Sequence, residues 1–325
     1  MKKSALKFAV RAVISAILIA LLYRRVDLSV LGARLAHLQW WPLVLFFAIL
    51  FLNTFISAAK WWLFLRADGI RMPLAKVYLS YFVAGFFTVL LPSTIGGDTY
   101  RVYDIARRGV KTGHIVASVF ADRLTGFLAL AVLGLLFSLV GWRLIPHHAL
   151  LLLPVAVFGL LVTAAGCLYQ QAPVRRLMAW TRADRIQALA RFANRFLDSM
   201  AAYRQRPRVA LQAMALSFVF QLNVILAIYA LALALRLDLS PLFFCVVVPV
   251  VALIEAIPIS IYGLGLRDSG YMLFFTQVGH TREEAGALAI LYVAATFAYS
   301  ALGGLAFIFK RANEPAVVRA QDGDG

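Results

Sequence analysis

Acidic residues and cysteines are scarce in this 325-residue chain. It has 15 Asp and Glu against 32 Lys and Arg, and charged residues make up only 14% of it, whereas hydrophobic residues make up 62%. Because soluble domains carry about a quarter charged residues, this composition excludes an ordinary soluble fold and indicates an integral membrane protein. Cys167 and Cys245 lie far apart in apolar runs, which excludes a disulfide framework and a cysteine metal site.

Several catalytic motifs are also missing. The chain has no Gly-x-x-x-x-Gly-Lys-Ser/Thr phosphate loop, which excludes nucleotide hydrolysis by that route. It has no Gly-x-Ser-x-Gly nucleophile elbow. No spacing of His, Cys and Glu suits zinc, and His147 and His148 fall in a short loop. We therefore expect no enzyme activity, no cofactor and no metal.

The net charge of +17 indicates an anionic partner. Nucleic acid is one candidate, but Lys and Arg also gather on the cytoplasmic side of membrane proteins, where they contact anionic headgroups. In a chain this apolar the second interpretation is favoured. We expect membrane lipids with anionic or zwitterionic headgroups as partners and no nucleic acid.

Apolar runs of about 20 residues are long enough to cross a bilayer. The first run lacks a small-x-small cleavage site before Arg24, which predicts an uncleaved span rather than a signal peptide. Trp61 and Trp62 end the second run, where tryptophans commonly mark a membrane interface. The full crossings are predicted at 6–23, 42–65, 115–141, 149–169, 209–235 and 285–309.

Two further apolar runs end in proline–glycine turns at matching places in the two halves. The first run ends in Pro92-Ser-Thr-Ile-Gly-Gly-Asp98-Thr-Tyr-Arg101. The second is interrupted by Pro249 and is followed by a turn from Glu255 to Asp268. Broken apolar segments at equivalent positions of two halves point to a transporter binding site. We predict two re-entrant helical hairpins, although two short tilted spans would fit the charge pattern equally well.

These patterns predict an all-α integral membrane protein with about six full transmembrane helices plus two re-entrant hairpins in an inverted repeat. Residues 1–311 form one polytopic domain, with repeat one at about 42–141 and repeat two at about 209–309. Between them, residues 173–208 are predicted to form a basic amphipathic linker on the inner membrane surface. Residues 312–325 are predicted to form a disordered tail.

The two turns carry the residues that we expect to bind an anion. Gly96 and Gly97 permit close backbone approach. A helix beginning near Asp98, with Asp98 as N-cap, would direct its N–H groups at phosphate oxygens. Arg101 supplies a guanidinium that matches phosphate; a tight turn with an arginine reaching to the interface is the plain structural alternative. The same arrangement recurs at Gly263, Gly265, Arg267 and Asp268.

Ionisable residues inside the apolar runs are further substrate-binding candidates, because a charge at that depth is costly. Three roles are open for Glu255. It is a protonated, neutral acid bonded to the broken helix end, or it pairs with Arg267 or Arg101, or it carries protons during transport. Asp122 and Arg123 are neighbours on one helix and so face different directions. Asp122 would meet Arg101 or Lys60, and Arg123 either faces the bundle or reaches back to the inner face.

An ordered set of motifs resembles a known family. The set is Leu91-Pro92-Ser-Thr-Ile-Gly96-Gly97-Asp98-x-x-Arg101, then Ala117-Ser118-Val119 before Asp122-Arg123-Leu124, then Pro258 to Asp268, Gly279 and Glu284-Ala285. It resembles the flippase-like transmembrane family, typified by the membrane half of bacterial lysylphosphatidylglycerol synthases. The resemblance implies a polytopic lipid translocator of the bacterial plasma (inner) membrane. The synthase members carry a soluble aminoacyltransferase domain after this region, and we expect none here.

The expected function is lipid transport by alternating access, with both termini in the cytoplasm. An anionic or zwitterionic headgroup would enter a cavity between the hairpins, where Arg101 and Arg267 hold its phosphate. One alternative is a membrane-embedded transferase or hydrolase that uses Asp98, Asp122 or Glu255 as acid or base. Another is a non-catalytic partner of a lipid-modifying enzyme. A second copy of the chain or such an enzyme is the expected protein partner.

Overall fold

The structure, a computed structural model, is all-helical over the residues it describes. These are residues 13, 16–24, 26–90, 96–143, 152–170, 172, 176, 180, 196–200, 203, 205–257, 259–260 and 263–312. Residues 16–23 are helical. The helices that follow are α1 (Leu28–Ala36), α2 (Trp40–Ala67), α3 (Leu74–Leu90), α4 (Gly96–Ala106), α5 (Thr112–Val140), α6 (Leu153–Gln170), α7 (Pro207–Ala234), α8 (Pro241–Glu255), α9 (Leu266–Gln277) and α10 (Arg282–Ala312).

Four helices are long and apolar enough to cross a membrane, namely α2, α5, α7 and α10. They have 28 to 31 residues each and extend at least about 42 Å. They confirm four of the six predicted crossings. The predicted crossing at 149–169 coincides with α6, which is shorter at 18 residues. The predicted crossing at 6–23 is described only in part.

Two helical hairpins separate the long helices, where the sequence predicted breaks. The returning arms, α4 and α9, have 11 and 12 residues. Their length of about 17 Å is less than the thickness of a hydrocarbon core, about 30 Å. Each hairpin returns to the end of the bundle where it began. Lys76 in the first turn of α3 and Arg108 after α4 line one cavity. Near the start of α8 and the end of α9, the rings of Phe243 and Phe275 are 5.5 Å apart. The depth of the hairpin tips in a bilayer stays a prediction.

Two details of the predicted hairpins are wrong. Pro249 does not interrupt its run, because α8 continues through it. A proline inside a membrane helix is tolerated where neighbouring helices pack against it, and Pro249 is buried in a helix that packs on α5. Helix α4 begins at Gly96 rather than near Asp98, which puts Asp98 in the first turn instead of at the N-cap.

The helix order repeats along the chain. Helices α2 and α7 begin at residues 40 and 207, and α3 and α8 at 74 and 241, 167 apart in both cases; α4 and α9 begin at 96 and 266, and α5 and α10 at 112 and 282, 170 apart. Helix α2 packs along α7, α3 packs against α10, and α8 packs against α5. This exchange of partners is what two related halves would show. The inverted relation of the halves stays a prediction.

Some predicted features lie outside the described residues. They are the turn residues 91–95, Pro258, most of the linker 173–208 and the tail after residue 312.

Candidate functional site

A buried ion network joins the first hairpin to two long helices. At its centre is Arg101 of α4, which is 2% exposed. Its Nη1 donates to Asp122 Oδ2 at 3.0 Å, and its Nη2 donates to Asp98 Oδ1 at 2.5 Å. The guanidinium lies over two aromatic rings, 4.3 Å from the Tyr81 centroid and 4.8 Å from that of Trp61. Two carboxylates and two rings therefore offset the cost of burying this cation.

Asp122 of α5 ties a second cation into the network. Lys60 Nζ of α2 lies 3.0 Å from Asp122 Oδ1. It also donates to the Asp122 carbonyl oxygen at 3.0 Å and to Ser217 Oγ of α7 at 3.2 Å. The sequence analysis named Lys60 and Arg101 as alternative partners of Asp122, and the structure has both at once.

Arg123 extends the network to its most accessible point. Its side chain is 45% exposed and therefore does not share the burial of Asp122. Nε and Nη2 of Arg123 donate to the two oxygens of Asp98, at 3.0 and 3.1 Å. Asp98 thus bridges Arg101 on its own helix and Arg123 on α5. It holds the hairpin to the long helix by charge.

The network carries one uncompensated positive charge. Its cations are Lys60, Arg101 and Arg123, and its anions are Asp98 and Asp122. A cavity of about 120 Å³ lies beside it and is lined by Lys60, Tyr81, Asp122, Arg123 and residues of α7. Polar and charged side chains among spanning helices most often serve a transport pathway. The arrangement can attract one anionic group to the cavity.

The second hairpin has a smaller ion pair in the corresponding region. Arg267 of α9 is 1% exposed and donates from Nε to Glu255 Oε2 at 3.1 Å, while its Nη2 meets the other carboxylate oxygen. Its guanidinium lies 4.3 Å from the ring centroid of Tyr292 on α10. Of the roles left open for Glu255, the structure shows pairing with Arg267.

Glycines shape the turn between Glu255 and α9. Gly263 and Gly265 have φ angles of 71° and 84°, which L side chains rarely adopt. A Cβ on Gly263 would overlap the Glu255 side chain. Asp268 caps α9 by accepting from the Gly265 N–H at 2.9 Å, and it also accepts from the Tyr23 hydroxyl at 2.8 Å. Asp268 therefore serves the helix end.

The predicted site residues fall into two clusters. Around the first hairpin the structure brings together Asp98, Arg101, Asp122 and Arg123, with Gly97 packed closely on α3. Around the second it brings together Glu255, Gly263, Gly265, Arg267 and Asp268. Gly96 is buried at the start of α4. Binding of one phosphate by Arg101 and Arg267 together stays a prediction.

The aromatic partners of the two arginines were missed. Trp61 was interpreted as an interface residue, but it is 0% exposed and its Nε1 donates to Ser118 Oγ at 3.0 Å. Tyr81 and Tyr292 were not singled out. A signal was present, since buried arginines commonly stack on aromatic rings, but sequence spacing alone does not say which ring is near.

Comparison with known proteins gives one match. Residues 8–304 match the family described as lysylphosphatidylglycerol synthase TM region. No curated protein and no solved structure matches the chain. The matched stretch includes both hairpins, α2, α5, α7, most of α10 and both arginine clusters. The chain therefore belongs to the family of lysylphosphatidylglycerol synthase transmembrane regions, which implies a membrane role related to lipids.

Proposed function

We propose that this protein moves a phospholipid or a lipid-linked polar headgroup between the two leaflets of the membrane, without changing it chemically. The observation that carries the proposal is the uncompensated positive charge beside a cavity among spanning helices. An unpaired charge is costly in such surroundings. An anionic headgroup that enters the cavity is stabilised there, whereas lipid tails gain nothing from it and remain in the bilayer.

Two residues are placed to meet the headgroup phosphate. Arg123 is the accessible cation of the network and lines the cavity. Lys60 lines the same cavity from the other side of Asp122. Arg101 lies deeper, and its role in this proposal is to hold Asp98 and Asp122 in place. The phosphate therefore meets Arg123 and Lys60 first, and Arg267 remains the candidate contact in the second half.

Asp98 links binding to movement. It holds Arg123 by two hydrogen bonds and so ties α4 to α5. A phosphate that takes over Arg123 competes with Asp98 for the same donors. Displacement of Asp98 would leave the pair of Arg101 and Asp122 as the remaining ion pair between the hairpin and α5. The hairpin would then be held less firmly, so the headgroup favours the conformation in which the hairpin has moved. Rocking of this hairpin would expose the cavity to each leaflet in turn.

Lipid movement in proteoliposomes tests the proposal. We expect the wild-type protein to move fluorescent phosphatidylglycerol faster than phosphatidylethanolamine, because the network favours an anion. Arg123→Gln should slow the movement of phosphatidylglycerol about tenfold or more, the worth of one charge-assisted hydrogen bond. The matched control is Arg66→Gln, because Arg66 is an exposed arginine stacked 4.6 Å from the Trp62 centroid, away from the network.

Further variants address the second hairpin and the competing functions. Glu255→Gln and Arg267→Gln are combined in one protein so that no buried charge is left unpaired. Unchanged lipid movement in both this double variant and Arg123→Gln would overturn the site assignment. Lipids recovered after the assay are examined by mass spectrometry. A covalently altered lipid would instead support the transferase or hydrolase alternative.

A further inference from the structure

A second cavity, which we call the basic cavity, lies where two loops meet at one end of the bundle. Its volume is about 510 Å³. One wall is formed by residues 68–73, between α2 and α3, together with Lys76 in the first turn of α3. The other is formed by Arg108, Val110 and Lys111, between α4 and α5, together with His114 in the first turn of α5. It shares no lining residue with the cavity beside Lys60. It is therefore a separate feature, with no part in the transport proposal.

Four exposed cations line the basic cavity, namely Arg71, Lys76, Arg108 and Lys111. Arg108 is partly engaged, because its Nε donates to the Asp104 carbonyl oxygen at 3.2 Å. Among the described residues, the other three form no ion pair. Four like charges gathered around one concavity repel one another, and a bound anion relieves that repulsion.

The acidic residue of this cavity does little to offset the cations. Asp68 faces the linker, where its Oδ2 accepts from the Tyr203 hydroxyl at 2.5 Å. Burial raises the pKa of the Asp68 carboxyl, although the hydrogen bond from Tyr203 acts in the opposite direction. Helices α3 and α5 also begin at the cavity, at Leu74 and Thr112. Helix N-termini carry partial positive charge and add to the field.

We propose that the basic cavity binds a phosphomonoester or pyrophosphate group. Such a group carries about two or more negative charges near neutral pH, which matches several unpaired cations better than the single charge of a phosphodiester. The volume admits a phosphate group together with part of the molecule that bears it. The group belongs either to a soluble phosphate compound or to the headgroup of a lipid lying against this end of the bundle.

Binding of inorganic pyrophosphate tests the proposal. Equilibrium dialysis uses the purified full chain in detergent, with labelled pyrophosphate as the probe. We expect saturable binding that weakens as salt is added. Lys76→Gln with Lys111→Gln should raise the Kd about tenfold or more. Both side chains are exposed, so the fold should persist, and the thermal unfolding midpoint checks this.

The control removes the same charge elsewhere. Arg143 and Arg282 are exposed and lie outside the basic cavity. Arg143→Gln with Arg282→Gln should leave the Kd unchanged. Absence of saturable binding, or equal weakening by both double variants, would overturn the proposal. Neither result would contradict the transport proposal, which is tested separately by measuring lipid movement.

Nanodiscs distinguish the two sources of the phosphate group. The protein is placed in phosphatidylcholine alone or in phosphatidylcholine with phosphatidic acid, a lipid with a phosphomonoester headgroup. If phosphatidic acid competes with pyrophosphate, the cavity takes a lipid headgroup. If pyrophosphate binds equally in both, it takes a soluble phosphate compound. Both results support the phosphate site, provided that Lys76→Gln with Lys111→Gln weakens pyrophosphate binding in the nanodiscs.

Discussion

Asp122 is the residue on which the ion network depends. It forms ion pairs with Arg101 of the first hairpin and with Lys60 of α2, and it is 2% exposed. A carboxylate buried to this extent is stable only with its cationic partners, and the cations are equally dependent on it. Its removal leaves Lys60, Arg101 and Arg123 facing Asp98 alone.

The first prediction concerns this dependence. Asp122→Asn should lower the free energy of unfolding by about 3 kcal/mol, because it leaves buried cations uncompensated. Adding Lys60→Met to Asp122→Asn should recover part of that loss, since it removes one of the stranded charges. Denaturation by SDS in mixed micelles measures both variants. Additive losses in the double variant would contradict the coupling of the two residues.

The two halves differ at the residues that pair with the arginines. Adding the helix offset of 170 to Asp122 gives Tyr292, and adding 167 to Lys60 gives Ala227. In the second half the Arg267 guanidinium lies over the Tyr292 ring, and Glu255 supplies the carboxylate. Glu255 and Arg267 form a neutral pair, whereas the network of the first half retains a positive charge. This difference is why the transport proposal starts from the first half.

The sequence allowed the charged members of these clusters to be named, but not their connections. A lone acid in an apolar run is conspicuous, so Asp122 and Glu255 could be found from sequence alone. The choice among partners depends on how α2, α4 and α5 pack. The rotation of α5, which buries Asp122 and exposes Arg123, is likewise a tertiary property.

At the scale of elements, the first hairpin depends on a close approach of its two helices. A Cβ on Gly97 of α4 would lie 2.6 Å from the carbonyl oxygen of Ala84 on α3. The open end of the hairpin is held by Lys310 of α10, whose Nζ donates to Asp104 Oδ2 at 2.7 Å. The tip is held by Asp98 and Arg123. The hairpin is thus fixed at both ends.

The second prediction compares two glycines of this hairpin. Gly97→Ala should destabilise the protein by about 1–3 kcal/mol, because the added methyl group meets backbone atoms that cannot give way. Gly85→Ala is the matched control, since a Cβ at that position of α3 meets nothing within 4 Å. In a helix it should stabilise by up to about 1 kcal/mol. Equal effects of the two changes on SDS denaturation would contradict the close packing.

Helix breaks were more predictable than helix interiors. Glycine pairs and proline turns after apolar runs indicated where α3, α4, α8 and α9 would end or begin, because such residues terminate helices locally. The expected interruption at Pro249 failed for a reason that local sequence does not contain. Pro249 is buried where α8 packs against α5, which is a tertiary contact.

At the scale of the whole molecule, contacts gather the basic segments at one end. The basic cavity joins the α2–α3 and α4–α5 loops. Arg206, before α7, donates to the Ala67 carbonyl oxygen at 2.6 Å, and Lys310 brings the end of α10 to Asp104. The opposite end, where Arg34 of α1 pairs with Glu284 of α10 at 2.7 Å, carries fewer cations among the described residues. The positive-inside tendency predicts that the basic end faces the cytoplasm.

The last prediction tests this orientation. Cys167 and Cys245 are first replaced by alanine, and single cysteines are then placed at exposed arginines of the two ends, at residues 71 and 108 or at residues 143 and 282. In right-side-out vesicles a membrane-impermeant maleimide should label positions 143 and 282, and positions 71 and 108 only after permeabilisation. The 71 and 108 pair also tests the hairpin, because those positions flank α3 and α4 and must share one side if the hairpin is re-entrant. Labelling of 71 and 108 from opposite sides would show that the hairpin crosses the bilayer, and it would remove the cavity beside Lys60 from the position that the transport proposal requires.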